Sequence, residues 1–200
     1  MLPAEIQYLL DNYDAEDINL SINKADYSGE TPLIGLRVHE TEAPPQTWTL
    51  EIIGHRASEL SFTFHITDTT ILITDDHPLL WQYSDFQSEL YFNGSSTDIY
   101  KIVSELNQID FELFGKYQNP SEQLYVLLRT SNGSLGKGSK KLLTKYAECL
   151  NRNGIKTSMV GGYSPSYFDG KNTMQGETLK IFLFGGSYIV GQDFIFSKST

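Results

Sequence analysis

The feature that most constrains the fold is a change in hydrophobic period near residue 94. Before it, apolar residues fall in short runs rich in β-branched and aromatic side chains, and turn residues separate the runs. This pattern predicts strands at 18–22, 33–38, 48–53, 60–66, 71–73 and 90–92, after a short helical turn around 6–10. Strands so closely spaced are expected to form an antiparallel meander of hairpins.

One pairing within the meander follows from alternation along two successive runs. Leu50 and Ile52 alternate on one strand, and Phe62 and Phe64 alternate on the next. For these apolar rows to share a face, Ile52 must lie opposite Phe62 and Leu50 opposite Phe64. The sequence therefore predicts a hairpin that joins 48–53 to 60–66.

After residue 94 the apolar residues recur every three or four positions. This spacing predicts two main helices, at about 96–114 and 139–152, the second ending at Asn153 and Gly154. Strands are expected at 124–128, 155–160, 179–184 and 188–196, with Gly185 and Gly186 as the turn between the last two. The unbroken apolar run 181–184 indicates a strand covered on both faces.

Together these elements predict an α+β fold, with an antiparallel β-meander followed by an α/β segment and two main helices packed on a mixed sheet. The expected division is a β-rich acidic half, 1–94, and an α/β basic half, 95–200, packed together as one unit. Charge supports two unlike parts. Residues 1–128 carry 5 Lys/Arg and 21 Asp/Glu, net −16, whereas residues 129–200 carry 10 and 4, net +6.

Composition indicates a cytoplasmic protein. Cys149 is the only cysteine, so no intramolecular disulfide can form, and the first residues lack the pattern of a signal peptide. No apolar run reaches the roughly 18 residues that a membrane helix needs. The acidic first part disfavours nucleic acid and anionic membrane as partners, whereas the basic remainder could accept an anion or an acidic protein surface.

The first candidate contact segment is the run RTSNGSLGKGSKKLL, residues 129–143. Read as a loop at 131–141 between a strand and a helix, it would aim backbone amides and lysines at an anion. The spacing fails as a Walker motif, because Gly138 follows Lys137 where Ser or Thr is required. The binding residues expected here are Gly136, Lys137, Gly138, Ser139, Lys140 and Lys141.

The second candidate is the segment GGYSPSYFDG, residues 161–170. It mixes rigid aromatic area with small polar residues, as adaptable recognition loops do. The binding residues expected here are Tyr163, Tyr167 and Phe168. A crossover whose aromatic side chains fold back onto the sheet would have the same composition.

No catalytic residues, metal ligands or cofactors are predicted. The four histidines lie in separate segments, without the spacing of a metal site, and no Gly-x-Ser-x-Gly motif occurs. The favoured hypothesis is a non-enzymatic protein of the immunity-protein or accessory-subunit class that binds a protein partner through its second half. The alternative is an enzyme or sensor for a phosphorylated small molecule, held by Lys137, Lys140 and Lys141.

Overall fold

The computed structural model describes residues 1–14, 17–40, 44–61, 71–117, 123–168 and 171–199. Its strands are β1 (Ile18–Asp26), β2 (Leu33–Glu40), β3 (Gln46–Ile53), β4 (Ala57–Glu59), β5 (Leu72–Thr74), β6 (Gln87–Asn93), β7 (Asn132–Ser139), β8 (Lys156–Tyr163), β9 (Ser166–Phe168), β10 (Thr173–Gln175), β11 (Lys180–Phe184), β12 (Ser187–Gly191) and β13 (Asp193–Lys198). Its α-helices are α1 (Ala4–Asn12), α2 (Trp81–Ser84), α3 (Ile99–Phe114), α4 (Gln123–Leu128) and α5 (Lys140–Arg152). Pro78–Leu80 and Gly115–Tyr117 form short 3-10 helices.

The architecture is α+β, as predicted, and α3 and α5 are the two main helices. Every strand pairing in the described ranges is antiparallel, so the expected mixed sheet is not formed. Residues 124–128, which the sequence predicts to be a strand of that sheet, form α4 instead. Leu124 and Leu128 are buried while Val126 is 65% exposed, a helical spacing rather than an alternation of two.

Two compact units divide the chain: unit 1 comprises 1–77 and 178–200, and unit 2 comprises 78–177. The expected boundary at 94 falls within unit 2, because β6 pairs with β7 and β8. The C-terminal strands β11–β13 belong to unit 1, since they pair with β3, β4 and β5. The net charges of these two units differ from those of the two halves predicted from the sequence. Unit 1 carries 5 Lys/Arg and 15 Asp/Glu, net −10, and unit 2 carries 10 of each, net zero.

Unit 1 contains two four-stranded sheets, ordered β1-β2-β3-β13 and β4-β12-β11-β5. The meander is confirmed for β1, β2 and β3, but the predicted hairpin between 48–53 and 60–66 is wrong. Leu50 pairs with Ile34 on one side and with Phe196 on the other, so β3 has no edge left for another strand. Residues 62–66 themselves lie outside the described ranges. The hairpin at Gly185 is confirmed, and residues 181–184 of β11 are all buried.

Unit 2 is built on a three-stranded sheet of order β7-β6-β8. Its helices bury the core-facing side chains of this sheet, and the resulting cluster includes Leu90, Phe92, Leu106 and Leu150. On the opposite face, Tyr91 is 38% exposed. This opposite face carries the side chains that alternate along each strand with the buried ones.

Candidate binding surface

The first contact segment is a strand rather than the expected loop. Residues 132–139 form β7, in which Gly136 pairs with Leu90 and Lys137 pairs with Glu89. The register shifts between Leu90 and Tyr91, where Gly136 has φ 155°. That backbone conformation suits glycine, so the glycines of this segment accommodate a β-bulge instead of a ligand loop.

The N-terminus of α5 is closed by a carboxylate from elsewhere in unit 2. Ser139 Oγ donates to Asp85 Oδ2 at 2.6 Å, and the Lys141 N–H donates to the same oxygen at 2.9 Å. Burial opposes ionisation of Asp85, but these hydrogen bonds outweigh it and hold the pKa of the carboxyl below its usual value. The position that a phosphate would occupy at a helix N-terminus is therefore held by Asp85.

A cavity of about 430 Å³ lies on unit 2 beside the residues of both predicted segments. Lys137 and Gly138 come from β7, whereas Val160, Gly161, Gly162 and Tyr163 come from the end of β8. The central strand β6 lies between them, because Glu89 pairs with Lys137 on one side and with Val160 on the other. Sheet pairing thus brings together two segments that are more than twenty residues apart in sequence.

Glu89 lies beside this cavity and is bound by other residues of the chain. Ser134 Oγ donates to Glu89 Oε1 at 2.7 Å, and Lys137 Nζ lies 3.7 Å from Oε2. The hydrogen bond from Ser134 is the main reason that the pKa of Glu89 lies below its usual value. The Lys137 side chain is 78% exposed. A separation of 3.7 Å makes this contact a long, exposed ion pair with Glu89.

Phe86 lies beside a residue of this cavity and a residue of a second one. A Cβ on Gly162 would lie 2.2 Å from the Phe86 ring and 2.4 Å from the Gln87 carbonyl oxygen, so only glycine allows this approach. On the other side, Lys140 Nζ lies 5.9 Å from the centroid of the Phe86 ring. Phe86 itself is 40% exposed.

The second cavity has a volume of about 580 Å³ and lies along the start of α5. Lys140, Lys141 and Lys145 line it together with Trp81 and Glu148. Lys141 Nζ lies 5.4 Å from the centroid of the Trp81 ring, a distance that allows a cation–π contact. We call the two cavities and the Phe86 ring between them the contact surface.

The contact surface contains most of the residues that the sequence singled out. Lys137, Gly138 and Tyr163 line the first cavity, Lys140 and Lys141 line the second, and Ser139 binds Asp85. Three of the predicted binding residues lie outside the contact surface. Gly136 pairs with Leu90, a buried core residue, and Tyr167 and Phe168 lie on β9, paired with Met174 and Thr173.

Sequence reasoning missed the residues of 81–89 that complete the surface. Trp81, Asp85 and Phe86 precede β6 and carry no motif, and Glu89 is one carboxylate in an acidic stretch. The detectable signal was the N-cap residue Ser139 followed by Lys140 and Lys141, a helix start without an acid in its first turn. Such a start has no negative charge of its own beside the helix dipole, and tertiary structure alone decides which carboxylate of the fold supplies one.

Two polar clusters lie outside the contact surface. In unit 1, Ser58 Oγ is 2.8 Å from Tyr27 Oη and 3.3 Å from His55 Nε2, which ties the turn after β1 to β4. In unit 2, Cys149 Sγ is 3.4 Å from Glu105 Oε2. Burial, reinforced by Glu105, raises the pKa of Cys149 to about 11 and keeps it a thiol.

Comparison of the chain with protein-family models, with curated proteins and with solved structures finds no match in any of the three. Within the described ranges, no group of three or more His, Cys, Asp or Glu side chains is placed to hold a metal ion. None of the helices in that part of the chain is long and apolar enough to cross a membrane. Function is therefore inferred from the contact surface itself.

Proposed function

We propose that this chain is a non-enzymatic, cytoplasmic binding protein that recognises another protein through the contact surface of unit 2. One observation carries the proposal: segments 137–138 and 160–163, distant in sequence, meet across β6 at a cavity on unit 2. Pairing on the sheet scaffold fixes their backbones, which reduces the entropy lost when a partner binds.

The side chains at this surface have the character of a protein interface. Val160 is 53% exposed and Tyr163 is 67% exposed, although both are large and apolar for most of their area. Phe86 extends the apolar area toward Lys140. Aromatic side chains supply much of the energy at protein interfaces, and exposed apolar patches in monomers often mark such sites.

A phosphorylated small molecule is the second candidate ligand, and the second cavity supports it. Trp81 lies beside Lys140, Lys141 and Lys145, which would suit an aromatic ring that carries a phosphate. The helix N-terminus adds nothing to this site, since Asp85 already accepts the Lys141 N–H. Calorimetry with ATP, GTP and inorganic phosphate, with and without Mg²⁺, tests this candidate directly. Micromolar binding that is lost on replacing Lys140 and Lys141 by Gln would favour it.

Site-specific photocross-linking tests the preferred function. A benzoylphenylalanine replaces Tyr163 in one variant and Tyr8 in the control, because Tyr8 lies on α1 of unit 1 and is 58% exposed. We expect a protein adduct from position 163 in native cells that does not form from position 8. The partner, identified by mass spectrometry and then purified, should bind the unmodified chain directly and should bind Val160→Asp more weakly. Equal adducts at both positions, or undiminished binding of Val160→Asp, would contradict the proposal.

A further inference from the structure

We infer that the segment recognised by the contact surface is acidic and carries an aromatic or large aliphatic side chain near its carboxylates; this inference rests on the proposed function. It concerns the chemistry of the partner. Its first support is the local charge. Lys137, Lys140, Lys141 and Lys145 line the two cavities, against Asp85, Glu89 and Glu148, a local surplus of one positive charge in a chain whose net charge is −10.

Two of the carboxylates at the contact surface are held by other groups of the chain. Asp85 accepts hydrogen bonds from Ser139 Oγ and from the Lys141 N–H, and Glu89 accepts one from Ser134 Oγ. Glu148 also lines the second cavity. The four lysines outnumber these three carboxylates, so an incoming carboxylate has cationic partners to bind.

Lys137 is the lysine best placed to change partners. Its Nζ lies 3.7 Å from Glu89 Oε2, and its side chain is 78% exposed, so the ion pair is weak. Moving the ammonium to a partner carboxylate would leave Glu89 bound by Ser134. The exchange therefore exposes no unpaired buried charge, which is the cost that normally opposes breaking an ion pair.

The apolar part of the partner segment is indicated by the glycines of β7 and β8. A Cβ on Gly138 or Gly161 would meet nothing within 4 Å, so backbone is uncovered beside Val160 and Tyr163. An aromatic or large aliphatic side chain can lie against this bare backbone and against the Tyr163 ring.

The spacing of the two partner groups follows from the sheet. Lys137 and Val160 lie on the strands at either side of Glu89, two inter-strand steps of about 4.8 Å apart. An extended chain advances about 3.3 Å per residue and its side chains alternate between two faces, so acidic and apolar side chains that both face the sheet are expected about two or four residues apart.

Binding across the sheet is favoured over addition of a strand to its edges. The pairing of β7 with β6 shifts register between Leu90 and Tyr91 of β6. The pairing of β8 with β6 shifts between Gln87 and Glu89 of β6. Lysines also occur on both strands, at Lys137 and Lys156. Bulges and lysines are the devices by which natural sheets oppose edge pairing.

Fluorescence anisotropy with four labelled peptides of equal length tests the inference on the full chain. The first carries Glu two and four positions from a single Phe, the second replaces Phe by Ala, the third replaces Glu by Gln, and the fourth replaces Glu by Lys. We expect the Glu/Phe peptide to bind about tenfold more tightly than each of the others, and its affinity to fall as salt rises.

Charge-matched variants locate the binding. Replacing Lys137, Lys140 and Lys141 together by Gln should remove most of the preference for the Glu/Phe peptide. The control replaces Lys24, Lys156 and Lys198 by Gln, which makes the same change in net charge at residues that line neither cavity. Thermal unfolding confirms that both variants fold, since exposed lysines contribute little to stability.

Four outcomes would overturn the inference: no preference for the Glu/Phe peptide, tighter binding of the Lys peptide, equal losses in both variants, or displacement of the peptide by micromolar ATP or phosphate. A protein adduct at position 163 without binding of the acidic peptide would leave the proposed function standing and refute the acidic segment alone. Absence of that adduct together with binding of the acidic peptide would refute the proposed function and leave the preference for an acidic segment standing.

Discussion

Removing the Asp85 carboxylate should destabilise unit 2 through the N-terminus of α5. The Asp85→Ala variant loses two hydrogen bonds to one charged oxygen, from Ser139 Oγ at 2.6 Å and from the Lys141 N–H at 2.9 Å. Loss of an N-capping interaction costs about 0.5–2 kcal/mol. Loss of the favourable charge at the helix terminus adds about 0.3–1 kcal/mol. The expected decrease in the free energy of unfolding is therefore about 1–3 kcal/mol, and Asp85→Asn should lose less, because its amide oxygen can still accept.

Urea unfolding followed by circular dichroism measures this difference. Asp75→Ala is the control, since it removes an exposed aspartate of unit 1 and should change stability by less than about 0.5 kcal/mol. The pKa of Asp85 is held below its ordinary value of 3.8. Its contribution is therefore present above pH 3.8 and lost as the pH falls, so the difference between the unmodified chain and Asp85→Asn should shrink in acid. Equal stability of Asp85→Ala and Asp75→Ala near pH 7 would refute the capping role.

Four further outcomes follow from unit 2. The Tyr146 hydroxyl donates to the buried Asp110 carboxyl, so Tyr146→Phe should cost about 1–3 kcal/mol in urea unfolding. Burial raises the pKa of Asp110, so its contribution is full below pH 3.8 and lost as the pH rises through the raised pKa; Asp110→Asn should flatten that part of the stability profile. Cys149 is 1% exposed with a pKa of about 11, so iodoacetamide at pH 7.5 should label it only after denaturation. Gly162→Ala should cost more than about 1 kcal/mol because its Cβ would contact backbone, whereas Gly138→Ala should be tolerated, as both melting curves will show.

The elements that the sequence predicted correctly are those whose side chains repeat a period over enough residues. α3 and α5 lie within a few residues of the predicted helices, because an amphipathic stripe determines which face is buried regardless of partner. The hairpin of β11 and β12 was equally evident, since two glycines separate two apolar runs. Period and turn chemistry are local, and local signals are readable without knowing what an element packs against.

The errors arose where tertiary pairing overrides local preference. Strand β13 was read as a continuation of β12, but it leaves that sheet and pairs with β3, closing the edge that the run at 60–66 was expected to occupy. Six-residue α4 is too short for its period to be distinguished from a strand. The glycines of β7 resembled a ligand loop because glycine serves both loops and bulges. Asp85 was not found, because which carboxylate meets a helix N-terminus depends on the fold.

Unit 2 uses several of its carboxylates to hold its own helices, in a chain whose net charge is −10. Asp98 accepts the Lys101 N–H at the start of α3, and Asp85 does the same for α5. Glu105 accepts a hydrogen bond from Asn153 at 2.9 Å, and Asp110 is buried against Tyr146. Each of these acids is fixed by donors of the unit itself, whereas the lysines of the contact surface project from β7 and α5. The same acids stabilise the helices of unit 2, and the lysines of the contact surface are the groups that the partner proposed above would meet.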